Sequence, residues 1–312
     1  MRFFKTFLSI FLLSLVSLHA QQAQAKEKIP FNGFDLSNVT IDKKEIQQPL
    51  PKDAIPAIHK PKFTTIAEAE TKLKDTDKVL HFSHNGVHRA YPLRILDWHE
   101  VVNDDVAGKK VSITYCPLCG SGIAFAREFD KKTITLAVSG LLYRSDVLLY
   151  DKETNSLWSQ LGMKCVAGPQ AGTEMLPLVC PLSTFAVWKK KFPEGQVLSF
   201  DTGHKRPYSK TAYQKYKESD QMHKKYGLKN VRTDLPVKTW VFGINTGKST
   251  LCISEEQLMK NKTHTTVLDG KTLTFSTVDG TTKAVFDNKD IPAVRSYWFA
   301  WQAFNPKTKV IK

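Results

Sequence analysis

The chain has 312 residues and a formal net charge of +15, and 41% of it is hydrophobic. That apolar content is enough for a packed core, so the five cysteines are not needed as staples for an undersized scaffold. Lysine greatly outnumbers arginine, which fits a solvated basic surface rather than a phosphate site built from Arg forks. Lys189-Lys190-Lys191 and Lys224-Lys225 read as exposed faces, and nucleic acid is excluded as an expected partner.

Met1-Arg2 and Lys5 supply positive charge, Phe7 to Leu18 is a short apolar run, and Ala23-Gln24-Ala25 is a small-x-small site before Lys26. These parts predict a signal peptide over residues 1–25, cleaved near Ala25-Lys26, and a periplasmic or secreted protein. The apolar run is shorter than the roughly 20 residues that span a bilayer. No later stretch reads as a transmembrane segment, so none is expected after cleavage.

Residues 26–62, rich in Pro, Lys and polar residues, read as an extended lead-in to a domain over 63–312. A short helix is expected over Thr65 to Leu73. A hairpin is expected from Val79–Phe82 and Val87–Tyr91 around Asn85-Gly86. Pro92 opens a helix whose inward residues are Leu93, Leu96 and Val101, ending at Asn103-Asp104. Strands follow over Lys110–Cys116, Ile123–Arg127, Thr133–Ser139 and Val147–Tyr150, with a turn at Asp130-Lys131-Lys132. A helix over Leu182–Phe192, a strand over Val197–Phe200, a polar excursion over 209–235 and a strand over Lys238–Phe242 complete the reading. Many strands with few short helices, without βαβ alternation, indicate an α+β, β-dominated fold of mixed and antiparallel sheets. Glycine spacing also suggests an internal duplication of a β-β-α-β-β unit, with halves at about 79–127 and 241–287.

The chemistry centres on Tyr115-Cys116-Pro117-Leu118-Cys119-Gly120-Ser121-Gly122. Two thiols two residues apart support reversible disulfide formation or metal binding. A static disulfide across so short a loop stabilises little through chain entropy. Gly120 stands where a c-type haem motif needs His. Gly120-Ser121-Gly122 is a poor helix start, unlike the helix that follows a thioredoxin dithiol. The Cys-Pro-x-Cys-Gly run has the form of a zinc knuckle, but no second Cys-x-x-Cys completes a four-ligand site. A metal, if present, is zinc, copper or iron on Cys116 and Cys119, and no other cofactor is expected.

The segment Leu141 to Gln160 is a second candidate region. Tyr143, Arg144 and Asp146 read either as a pocket wall that tunes a thiolate or as a polar hairpin with satisfied hydrogen bonds; Trp158 and Gln160 follow. Tyr115 and Ser121 flank the thiols. His99-Glu100 is a possible base or ligand, although a structural role on the helix after Pro92, capping a neighbouring strand, fits better. Cys165 and Cys180 are spaced to close a loop as a disulfide or to relay electrons, and Cys252 reads as a buried thiol.

The chain resembles the DUF3179 family of bacterial and archaeal proteins of unknown function. The matching stretches include Tyr91-Pro92-Leu93, Trp98 to Asp104, Thr114 to Ser121, Ser139 to Asp146, Tyr150-Asp151, Ser156 to Gln160, Gly168-Pro169 and Trp298 to Trp301. Family membership implies that some relatives carry selenocysteine in the cysteine motif, which favours redox chemistry. This chain has Arg144 where Asn or another small polar residue is expected in relatives. The expectation is an exported thiol–disulfide oxidoreductase or thiol-dependent reductase, with Cys116 attacking, Cys119 resolving, and an unidentified redox partner or small substrate. The alternative is a non-catalytic metal-binding envelope protein.

Overall fold

The computed structural model describes residues 30–129 and 132–311. The expected signal peptide lies outside the described residues, as do Asp130 and Lys131 of the expected turn. Among the described residues, no helix is long and apolar enough to cross a membrane.

The lead-in lies along the folded body. Phe34, Leu36, Ile46, Ala57 and Ile58 are buried, and Asn38 bonds both backbone groups of Gly168. Ile46–Gln47 (β1) pairs with a strand of the body, and Phe63–Thr64 (β2) edges another sheet. Ile66–Glu70 (α1) starts at a capping box formed by Thr65 and Glu68.

Lys78–His84 (β3) and Val87–Pro92 (β4) form the expected hairpin, with Asn85 and Gly86 both at positive φ. Pro92 then caps Leu93–His99 (α2), which buries Ile95 and Leu96. The helix stops at His99, earlier than expected, because Glu100 turns left-handed and Val101–Val106 (β5) enters a sheet. Val101 and Val102 point into different hydrophobic clusters, a two-sided burial that suits a β-branched pair in a strand.

Lys109–Cys116 (β6) and Ser121–Ala126 (β7) form a hairpin closed by the pair Cys116 and Ser121. Glu128–Phe129 (β8) and Lys132–Thr133 (β9) make a small ribbon. Leu136–Tyr143 (β10), Asp146–Asp151 (β11), Leu157–Ser159 (β12) and Lys164–Ala167 (β13) form an antiparallel sheet edged by β1. Pro177–Leu178 (β14) and Leu182–Thr184 (β15) precede Phe185–Lys191 (α3) and Gln196–Leu198 (β16). The helix expected from Leu182 begins at Phe185, because Leu182–Thr184 pairs with β3 and Thr184 supplies the cap.

Gln214–Glu218 (α4) lies in the polar excursion. Trp240–Asn245 (β17), Thr250–Ser254 (β18), Glu255–Asn261 (α5), Thr263–Leu268 (β19), Lys271–Val278 (β20) and Thr281–Phe286 (β21) follow. Lys289–Ile291 (β22), Val294–Tyr297 (β23), Trp298–Phe304 (α6) and Lys309–Ile311 (β24) end the described chain.

The fold is β-dominated, with small mixed and antiparallel sheets in a propeller-like arrangement. Its sheets run β15-β3-β4-β16-β2, β14-β7-β6-β5, β1-β10-β11-β12-β13, β23-β17-β18-β24 and β19-β20-β21-β22. The segments suspected of duplication share one order of elements, hairpin, helix, three strands. The correspondence also extends beyond them. β14 and β22 edge equivalent sheets; β15-α3-β16 and β23-α6-β24 each run from an antiparallel edge strand through a helix to a parallel strand. β23 packs on β7, and β15 packs on β21, a reciprocal contact between the two copies. The sheet of β10 to β13 is inserted between β7 and β14 and has no counterpart in the second copy among the described residues.

Candidate functional site

The β6–β7 hairpin is joined by Pro117-Leu118-Cys119-Gly120, whereas the equivalent β20–β21 hairpin turns on Asp279-Gly280 alone. The longer connection of the first copy carries the cysteine motif. Gly120 lies at φ +63, and a Cβ there would sit 2.3 Å from the Trp240 indole, so both backbone and space require glycine. The Tyr297 N–H donates to the Cys119 carbonyl at 2.9 Å, fastening the turn to β23.

The inserted sheet supplies the third group. β10 and β11 are joined by Arg144-Ser145, both at positive φ, and this tight turn delivers the Ser145 carbonyl and Asp146 to the sulfurs. Cys119 Sγ donates to the Ser145 carbonyl at 3.3 Å. One donor atom each from Cys116, Cys119 and Asp146 lies within 4.8 Å of the others, and all three residues are buried. Asp146 accepts from the Leu161 N–H at 2.9 Å and from the Ser121 hydroxyl at 3.4 Å. Ser121 also donates to Gln160 Oε1 at 2.6 Å, and Gln160 Nε2 donates to Thr114 Oγ1 at 2.8 Å. A hydrogen-bonded floor thus lies beside the thiols.

Electrostatics separate the two sulfurs. Burial pushes both thiols up, Cys119 well above the ordinary value. Cys116 is raised against the opposing pull of hydrogen bonds from the Cys119 thiol and backbone N–H, which favour its thiolate. Burial raises the Asp146 carboxyl to about 7 and the Glu100 carboxyl to about 8. Both carboxyls are therefore raised into the range where they exchange protons near neutral pH.

Cys116, but not Cys119, lines a cavity of about 300 Å³. Glu100 and Leu118 line it with Cys116, β10 and β11 contribute Val138, Leu141, Leu142 and Val147, and the excursion contributes Tyr213, Tyr216, His223 and Tyr226. The excursion, expected as a surface loop, is therefore the cover of the site. Tyr216 donates its hydroxyl to the Leu118 carbonyl at 2.6 Å, and Tyr213 donates to Glu100 Oε1 at 3.3 Å. Lys217 is held by both carboxylate oxygens of Asp97 at 2.7 Å. These tyrosines were missed from sequence because the excursion has no periodicity; its tyrosine content was the available signal.

Of the expected supporting residues, Asp146 meets the cysteines, and Ser121 and Gln160 form the hydrogen-bonded floor beside it. Tyr115 alternates to the opposite face of β6 and packs in another cluster. The Arg144 guanidinium turns away to Glu45 at 2.9 Å and the Ala303 carbonyl at 2.7 Å, so it does not serve the thiolate. Tyr143 packs edge-on against Phe304. Trp158 donates its indole N–H to Asp151 at 2.8 Å within the inserted sheet. His99 lies between the Pro56 carbonyl and the Tyr208 hydroxyl, each at 2.7 Å, and burial lowers its pKa to about 4. That geometry gives His99 a structural place. Cys165 and Cys180 are separate free thiols, and Cys252 is buried in β18, as expected of it.

The fold and site define a propeller-like protein with a buried dithiol and an adjacent carboxyl, set between a repeated frame and an inserted sheet. The chain belongs to a family described as "protein of unknown function (DUF3179)", whose model matches residues 52–290. No curated protein and no solved structure matches it.

Proposed function

We propose that the protein is an exported thiol-dependent redox protein in which Cys116 and Cys119 alternate between dithiol and disulfide. The observation that carries this reading is the asymmetry of the pair. Cys116 faces the cavity, while Cys119 is withdrawn behind it and donates its thiol to the Ser145 carbonyl. Cys116 loses its proton and attacks the substrate in the cavity. Cys119 then attacks the Cys116 sulfur, the bond to the substrate breaks, and a Cys116–Cys119 disulfide forms as the substrate leaves with the electron pair. Asp146, beside both sulfurs, takes the thiol proton.

The test is trapping. A Cys119→Ser variant is expected to hold a mixed disulfide on Cys116 when treated with a small disulfide reagent, and Cys116→Ser is expected to hold none on Cys119. Equal trapping at both positions, or at neither, contradicts the assignment.

A second reading is favoured by the convergence of two thiols and a carboxylate. These donors suit a soft divalent ion in a three-ligand site that keeps an open position. Elemental analysis of protein purified without added metal separates the readings. One tightly held ion per chain, lost in Cys116→Ser, supports the metal site.

A further inference from the structure

The cavity beside Cys116 carries chemical information of its own. The protein is strongly basic, yet no lysine or arginine is among the cavity's described lining residues. Lys217, on the cover, is held by Asp97, and Lys238 is held by the carbonyls of Tyr216 and Ser219 at 2.5 Å. The walls are leucine, isoleucine, valine and tyrosine, with His223 stacked on Tyr226 at 4.7 Å between ring centroids. Such walls repel an anionic peptide or phosphate and favour a small, flat, uncharged molecule. Glu100, 5% exposed, is the carboxyl on this wall, and its own backbone carbonyl accepts from the Tyr115 N–H at 2.8 Å, which fixes it relative to the cysteine strand. Burial raises the pKa of that carboxyl to about 8.

We infer that the cavity receives a small uncharged quinone-type molecule as the electron acceptor of the reduced Cys116/Cys119 pair, with Glu100 hydrogen-bonded to its carbonyl oxygen. This rests on the redox reading above. The Cys116 sulfur bonds to the ring, and Cys119 attacks that sulfur. The sulfur–ring bond breaks, its electron pair passes into the ring, and the sulfur–sulfur bond forms. Two thiol hydrogens are lost and two O–H bonds form, so the dithiol is oxidised by two electrons and the quinone is reduced to hydroquinone. The two thiol protons pass to solvent; one quinone oxygen takes its proton from Glu100, which is reprotonated from solvent, and the other takes its proton from solvent.

The probe is tetramethyl-benzoquinone, whose fully substituted ring suppresses permanent thiol alkylation. Binding is measured first on a full-length chain carrying Cys116→Ser and Cys119→Ser, by quenching of intrinsic fluorescence. Saturable quenching is expected, and its absence overturns the inference whatever the thiols do. Reduction is then measured on the wild-type chain after mild reduction. The quinone is expected to be consumed one per chain with formation of the Cys116–Cys119 bond, and Glu100→Gln is expected to slow this roughly a hundredfold while binding persists. Binding without electron transfer overturns the acceptor role. The mixed-disulfide trapping above reads the thiols independently, so the redox reading can stand when the quinone proposal fails.

Discussion

The Tyr216 hydroxyl donates to the Leu118 carbonyl at 2.6 Å, joining the cover of the cavity to the centre of the cysteine turn. The cover lies on the site partly through this bond, because α4 is a single short helix with no buried residues. Tyr216→Phe is expected to cost about 1 kcal/mol of stability. It is also expected to raise the alkylation rate of Cys116 by roughly fivefold, as local opening becomes easier. Thermal melting and mass-resolved alkylation check the two effects. An unchanged rate argues that the cover already opens freely.

The buried carboxyls predict a pH dependence. Asp146 and Glu100 are raised by burial to about 7 and about 8, from ordinary values of 3.8 and 4.5. The folded state therefore holds protons that the unfolded chain has lost. Their contribution is fully present at acidic pH and is lost as pH rises through about 7 and 8. His81 and His99, lowered by burial to about 4, act in the opposite sense on the acid side. The informative comparison is thus wild type against Glu100→Gln between the unfolded and folded values. The variant is expected to lose less melting temperature between about pH 5 and pH 8. Parallel melting curves contradict the assignment of a protonated Glu100.

The cysteine turn has one position with no room for change. Gly120→Ala places a methyl group against Trp240 in a left-handed conformation. A loss of more than about 2 kcal/mol is expected by denaturant unfolding. A smaller cost implies that the indole can move aside.

Arg144 offers the contrasting case. Its side chain serves Glu45 and Ala303, while its backbone helps make the turn that presents Asp146. Arg144→Asn suits the left-handed turn better and removes a part-exposed ion pair with Glu45 and the hydrogen bond to the Ala303 carbonyl. Stability is expected to change by less than about 1 kcal/mol, and the pH profile of Cys116 alkylation is expected to stay the same. A profile displaced to higher pH restores Arg144 as a thiolate partner.

Much of the frame was legible in the sequence, because hairpin glycines and Pro92 mark their turns by local chemistry. The shared order of elements was visible for the same reason, though β14 and β15 are too short to show a period. Boundaries failed where tertiary pairing decided them. Val101-Val102 continued a helical pattern but were drawn into β5, and Leu182–Thr184 were taken from a helix by β3. At the site, Cys116, Cys119 and Asp146 were readable as chemistry-bearing residues, and Ser121 and Gln160 by proximity in motif. Glu100 was readable beside His99, but the tyrosine cover was not, since its place depends on a long excursion folding back over a turn about 100 residues earlier. Arg144 misled because charge in a motif says nothing of where a long side chain points.

The proposal that Cys116 and Cys119 form a two-electron couple is tested by a redox titration of the purified full-length chain in thiol–disulfide buffers, read by mass spectrometry of the peptide spanning both cysteines. One cooperative transition that joins Cys116 to Cys119 is expected, with a midpoint above about −300 mV, where physiological partners can reverse it. A pair that stays reduced at every poise, with one metal ion retained per chain, would contradict the redox couple and assign the site to the metal.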